Sequence, residues 1–126
     1  MTRTLYIAID GDNIGSYIEY LFLMNNTEKL GEFSKTYELS MQWLVSDLQN
    51  KLGATSIFTG GDNSLLSTDS GIFSLGLLEM TRVEFFQRTG QTLSIGLGYT
   101  PREAYFALKL AKTSGKNSVR RYEELS

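Results

Sequence analysis

The chain has 126 residues, 41% hydrophobic and 21% charged, which suits a single globular domain over residues 1–126. It contains no cysteine and no histidine, so disulfides, zinc fingers, thiol nucleophiles and a Ser-His triad are excluded, leaving carboxylates, lysines, backbone groups or metal for any chemistry. A net charge of −2 argues against direct nucleic-acid binding, no apolar run approaches a membrane span, and no signal peptide precedes the first strand-like run; we expect a cytoplasmic protein.

Thr4 to Ile9 is β-prone and nearly all apolar, the pattern of a buried central strand. Gly11-Asp12-Asn13 is turn chemistry, after which Ile14, Tyr17, Ile18, Leu21 and Phe22 fall on one helical face. Asn25-Asn26-Thr27 ends that helix and caps the next. The second helix carries a stripe of Leu30, Phe33, Tyr37, Met41, Leu44 and Leu48, and Gly53 closes it. Thr55 to Thr59 and Ser64 to Thr68 form a hairpin around Gly60-Gly61-Asp62-Asn63. Asp69-Ser70-Gly71 is expected to cap a third helix with Ile72, Phe73, Leu77, Met80 and Phe86 among its apolar positions, ended by Gly90. Thr92 to Gly98 is a fourth strand. Thr100-Pro101-Arg102-Glu103 starts a last helix through Ala104, Ala107, Leu108 and Ala111 to Gly115, with Ser118 to Tyr122 as a possible edge strand.

The order implies an α+β, ferredoxin-like βαββαβ core: an antiparallel sheet with helices on one face, plus the extra C-terminal helix. In that topology the third strand lies between the first and second. The end of the first strand, at Asp10, then meets the hairpin turn at Asp62. The last helix runs about 21 Å back towards the same end, which brings Lys112 and Lys116 near the two aspartates.

Asp10 and Asp62 are the candidate catalytic pair, two hard carboxylates suited to Mg2+ or Mn2+, with the Gly11 carbonyl able to join them. Two metals about 4 Å apart would activate a ribose hydroxyl and brace an α-phosphate. The plainer reading is a strand end and a tight hairpin turn; the two motifs together, in an order that makes them neighbours, favour a site. Asp12 and Asn13 either cap the first helix or meet phosphate with its N–H groups. Lys112 and Lys116 either hold a triphosphate or suit the dipole at a helix C-terminus. Three other motifs fail. The run from Asp10 has Ile14 and Leu21 where a calcium loop needs oxygen ligands. Ser114-Gly115-Lys116-Asn117 lacks the remainder of a P-loop. Ser94-Ile95-Gly96-Leu97-Gly98 lacks the third glycine of a dinucleotide fingerprint.

Asp10-Gly11-Asp12-Asn13-Ile14-Gly15 with Gly60-Gly61-Asp62-Asn63 resembles the palm domain of type III CRISPR polymerases and, more distantly, GGDEF diguanylate cyclases. Ala111-Lys112-Thr113-Ser114-Gly115-Lys116-Asn117 is similar to the phosphate-contacting segment of that superfamily. At this size the chain most resembles the minimal CRISPR polymerases of bacterial anti-phage systems. The resemblance implies a cyclic-dinucleotide synthase using ATP, with 2′,3′-cyclic di-AMP as product and an indirect link, through that product, to a membrane-anchored effector. It implies metal ligation by Asp10, the Gly11 carbonyl and Asp62, and Asn63 beside them is able to join as a ligand through its side-chain carbonyl oxygen. It also implies nucleotide contacts from Asp12, Asn13, Ile14, Gly15, Gly60, Gly61, Lys112 and Lys116. Asn63 departs from the pattern, since relatives usually carry a second acid there; a palm that binds nucleotide or a partner without turnover is the alternative. Joining two nucleotides head to tail needs two facing donor sites, so a homodimer is expected.

Overall fold

The structure, a computed structural model, describes residues 2–125. Its elements are β1 (Thr4–Gly11), α1 (Ile14–Leu23), α2 (Thr27–Leu52), β2 (Thr55–Thr59), β3 (Asn63–Asp69), α3 (Leu75–Thr89), β4 (Leu93–Gly98), α4 (Pro101–Thr113) and β5 (Ser118–Arg121), with a 3-10 turn at Tyr122–Leu125. The α+β fold anticipated from the pattern is present, including the extra helix and the edge strand. The sheet order is β2-β3-β1-β4-β5. β1 runs antiparallel to β3 and β4, β2 antiparallel to β3, and β5 parallel to β4. β3 therefore separates β1 from β2, and the far end of β1 meets the β2–β3 turn.

Alternation along β1 sorts its side chains onto two faces. Leu5, Ile7 and Ile9 enter the main core with Met41, Leu44 and Leu48 of α2 and Leu78 and Phe85 of α3. Ala8 turns the other way and packs with Ala104 and Leu108 of α4, with Tyr6 and Leu65 at the margin. The core helices α2 and α3 thus share one face, and the extra helix α4 takes the other. Small residues allow that close packing. A Cβ at Gly96 would collide with the α4 backbone at Ala104 and Leu108, and one at Gly98 with Glu103 and Ala104. The glycines of Ser94-Ile95-Gly96-Leu97-Gly98 are a seat for a helix.

The helix ends follow their capping residues. Asn26 accepts the Lys29 N–H at 3.1 Å, and Thr100 accepts the Glu103 N–H at 3.1 Å, each cap contributing about 1 kcal/mol. Gly53 and Gly90 end α2 and α3 in the left-handed conformation at φ 60° and 74°.

Several expectations need correction. β1 continues past Ile9 to Gly11, because Asp10 has ladder partners on both sides, Asn63 and Ser94. The cap of α3 is Ser74, which accepts the Leu77 N–H at 3.2 Å; Asp69 instead accepts the Gly71 N–H at 2.7 Å within a turn. The buried face of α3 is Leu78, Thr81 and Phe85, leaving Met80 and Phe86 exposed. The face was misread because Thr81 is polar yet buried: its hydroxyl donates to Asp47 of α2 at 2.6 Å. Phe22 of α1 and Ile72 are also exposed.

Candidate active site

The candidate residues gather where the sheet ends. The Gly11 N–H donates to the Asp62 carbonyl at 2.8 Å, and the Gly60 N–H to the Asn63 carbonyl at 2.8 Å. These bonds close the hairpin and dock it on the end of β1. The Asp62 charge consequently acts on Asp10. Burial raises the Asp10 carboxyl above the ordinary aspartate range against the pull of Lys112, and Asp62 and Asp12 add repulsion.

Lys112, in the last turn of α4, answers that crowding. Its ammonium donates to the Gly11 carbonyl at 2.8 Å and to Asp12 Oδ1 at 2.9 Å, and lies 3.2 Å from Asp10 Oδ2. The helix runs back across the sheet and delivers this cation to the strand end. Lys116 follows a different course. Its ammonium donates to the Asn13 side-chain carbonyl at 2.6 Å.

Asp12 is turned inward and only 1% exposed. Its Oδ1 accepts from Ser94 Oγ at 2.6 Å and from Lys112; its Oδ2 accepts from Thr92 Oγ1 at 2.7 Å and the Asn117 N–H at 2.9 Å. Burial alone would raise this carboxyl, but the bonds from Ser94, Thr92, Lys112 and Asn117 outweigh it and hold the group below its usual range. Both oxygens are occupied, so Asp12 ties β1, β4, α4 and the loop before β5 together and does not face open space. That loop is strained. Gly115, Lys116 and Asn117 all have positive φ, at 109°, 61° and 48°, a conformation that side-chain-bearing residues hold only when their surroundings enforce it. Asp12 and Arg82, which donates to the Asn117 carbonyl at 3.3 Å, supply the enforcement. Asn13, at φ 60°, is the N-cap of α1 but makes no side-chain cap bond; its side chain is given to Lys116.

A groove of about 740 Å³ opens beside this cluster. Gly60, Gly61 and Asp62 of the hairpin form one wall, and Phe33, Glu38 and Gln42 of α2 the other; Ile14 and Gly15 of α1 complete it. Gly15 and Gly61 have bare surroundings, with no atom within 4 Å of an added Cβ. Neither adopts a positive φ, so neither conformation nor packing calls for glycine there. Open backbone beside a carboxylate is the setting in which N–H groups can approach a phosphate. Asp10, Asn63 and Lys112 border a separate groove on the α4 side. The two candidate catalytic aspartates are neighbours, yet each opens into its own groove.

Sequence reading assigned Tyr37 to the core and passed over Glu38 and Gln42. Tyr37 is buried, but its hydroxyl has no hydrogen-bond partner. It lies beneath Gly11, where any Cβ would overlap it. Burial, then Asp62, Asp10 and Asp12, push the phenol far above its usual range, so it stays protonated at any working pH. The missed signal was a polar stripe, Ser34, Glu38 and Gln42 at four-residue spacing, running beside the apolar one.

Among the described residues, no three acidic side chains stand close enough to cage a metal by themselves. Asp10, the Gly11 carbonyl and Asp62, with the Asn63 amide at hand, are hard oxygen donors. They fit Mg2+ or Mn2+, which typically takes one or two carboxylates and fills its sphere from phosphate and water.

The sequence profile described as minimal CRISPR polymerase domain matches residues 6–122. No curated protein matches the chain. Among solved structures, the chain is similar to one described as a Csm1–Csm4 cassette in complex with one ATP, with TM-score 0.73 and 21% identity over 93% of this chain and 20% of that one. It is also similar to the GGDEF domain of DgcB from Caulobacter crescentus in complex with c-di-GMP, with TM-score 0.66 and 16% identity over 97% and 79%. A third likeness is the active GGEEF domain of a diguanylate cyclase from Vibrio cholerae, with TM-score 0.59 and 19% identity over 95% and 83%. The chain spans only a fifth of the Csm1–Csm4 chain, and at these identities the structural likenesses establish the shared fold.

Proposed function

The chain belongs to the minimal CRISPR polymerase domain family, and from that premise we propose that it is a metal-dependent nucleotidyltransferase that makes a cyclic dinucleotide. The product we assign is 2′,3′-cyclic di-AMP made from ATP, a cytoplasmic signal in anti-phage defence that acts on a membrane-anchored effector. The observation that carries the reading is one end of the sheet, where Asp10, the Gly11 carbonyl, Asp62 and Lys112 meet beside a groove edged by the bare backbone of Gly15 and Gly61.

In each joining step the acceptor ribose oxygen forms a bond to the donor α-phosphorus. The bond from that phosphorus to the bridging oxygen breaks, pyrophosphate leaves with the electron pair, and the hydroxyl proton passes to solvent. Mg2+ or Mn2+, held by Asp10, Asp62 and the Gly11 carbonyl with Asn63 beside them, would supply charge neutralisation at the phosphate and lower the pKa of the attacking hydroxyl. The chain's own groups do the remainder. The groove between α1, α2 and the hairpin receives the donor nucleoside, and the glycine backbones of Gly15, Gly60 and Gly61, with Ile14, border its phosphates. Lys112 adds positive charge, and Lys116 with Asn13 forms a polar rim. Asp12 acts through Lys112, which it holds in place. Among the described residues this groove is the one bordered by the hairpin, α1 and α2 together, so head-to-tail joining takes two chains facing one another as a homodimer.

Purified protein incubated with each nucleoside triphosphate and Mg2+ or Mn2+, with products read by mass spectrometry, tests this. A cyclic dinucleotide is expected, reduced about 1000-fold in Asp62→Ala. Asn63 favours a second reading, a palm that binds nucleotide without turnover. Tight nucleotide binding with no pyrophosphate released from the wild type would select it.

A further inference from the structure

Helix α3 lends no residue to the lining of either groove beside the two aspartates, yet one of its side chains reaches towards them. Arg82 is only 16% exposed at its side chain. Its Nε and Nη2 both donate to the Glu79 carboxylate, Nη2 at 2.6 Å. A pair at this spacing ordinarily serves its own helix. Here the remaining nitrogen is directed elsewhere. Nη1 donates to the Asn117 backbone carbonyl at 3.3 Å and to the Asn117 side-chain oxygen, in the loop between α4 and β5. A planar guanidinium spans these partners on both sides at once, which a lysine ammonium does not.

Asn117 is thereby held from two directions, since its N–H donates to Asp12 Oδ2 at 2.9 Å. Lys116 and Asn117 are consecutive left-handed residues, at φ 61° and 48°, and neither is glycine. Such a pair persists only while its surroundings enforce it. The consequence falls on Lys116, whose ammonium meets the Asn13 side chain at 2.6 Å from this backbone conformation. Asp12 depends less on the loop, because Thr92, Ser94 and Lys112 also hold it.

We propose that Arg82 is a positioning residue for nucleotide binding: by clamping Asn117 it fixes the left-handed pair that aims Lys116 at the phosphates of a bound triphosphate. Glu79 steers the guanidinium, and Arg82 itself touches no nucleotide. The inference rests on the nucleotidyltransferase reading for the identity of the ligand, and goes beyond it by giving α3 a part in binding.

The test compares wild type with Arg82→Lys, Arg82→Ala, Lys116→Ala and the Arg82→Ala/Lys116→Ala double variant. In the nucleotide-free proteins, heteronuclear NMR reads the Asn117 N–H and the Asn13 side-chain amide; both signals should shift in the two Arg82 variants. Calorimetry with α,β-methylene ATP and Mg2+ should show affinity falling about 10-fold in Arg82→Ala and Arg82→Lys, the scale of one hydrogen bond to a charged group. Lys116→Ala should lose as much. The double variant should lose no more than about 2-fold beyond Lys116→Ala, because both residues serve one contact. With ATP as substrate, the loss should appear in KM, with kcat close to that of wild type. Melting curves report folding, and Arg82→Lys, which keeps the charge, carries the test where Arg82→Ala does not fold.

A role confined to the α3 ion pair predicts the opposite results. An unmoved Asn13 amide, affinity restored in Arg82→Lys, or losses that multiply in the double variant would each overturn the proposal, whatever is made from ATP. If the wild type binds the analogue but makes no dinucleotide, the enzymatic reading fails, and the loss of affinity in Arg82→Lys still establishes the positioning role. If the wild type binds no triphosphate, both readings fall.

Discussion

Asp10 and Asp12 lie two residues apart at the end of one strand, and the fold treats them in opposite ways. Asp12 is sealed among Thr92, Ser94, Lys112 and Asn117, with every oxygen occupied. Asp10 keeps 30% of its side chain exposed and shares one lysine with its neighbours; near it lie Asp62 and the unpartnered hydroxyl of Tyr37. A saturated carboxylate braces structure, while an unsaturated cluster still has affinity to spend on a ligand. The same motif therefore contains its scaffold and its chemistry side by side.

The largest test of that contrast is Asp12→Ala. It strands the Ser94 hydroxyl and the Asn117 N–H, leaves the Lys112 ammonium to Asp10 and the Gly11 carbonyl alone, and should cost about 4 kcal/mol of unfolding free energy, measured by urea titration. A loss under 1 kcal/mol would mean that Asp12 is not the brace. The next effect is on acid stability. Folded Asp12 titrates below its ordinary value, so its stabilisation is complete above about pH 4 and disappears as pH falls through the lower folded value. Melting temperature followed from pH 7 to pH 2 should drop steeply below about pH 4 in the wild type and less steeply in Asp12→Asn. Parallel curves would remove Asp12 from the acid response. The smallest effect has the opposite sign. Asp10 is raised in the fold, so its ionised form opposes folding at neutral pH, and Asp10→Asn should raise the melting temperature by about 2 °C while abolishing dinucleotide formation. A fall as large as that of Asp12→Ala would erase the distinction.

Much of the fold was legible because its signals are local. Gly53, Gly90 and the Thr100 cap mark helix ends through backbone conformation and short-range bonds, and each marks its end in the structure. The face of α3 was not legible, because a buried threonine that bonds across to Asp47 looks polar in any periodic pattern. The strand order, and with it the meeting of Asp10 with Asp62, followed from the succession of elements. The separate fates of Asp10 and Asp12 did not, because they depend on residues 80 to 105 positions away.

The sequence by itself determined the toolkit: no histidine or cysteine, carboxylates at a strand end and a hairpin, and lysines late in the last helix. It also determined the succession of elements that makes those residues neighbours, since period, caps and turns are written locally. Only the tertiary structure decided which aspartate is sealed and which is open. It decided too that Lys112 reaches the strand end while Lys116 stops at Asn13, and that the two catalytic candidates face different grooves. Burial and hydrogen-bond saturation belong to the packed chain, and no single stretch of residues carries them.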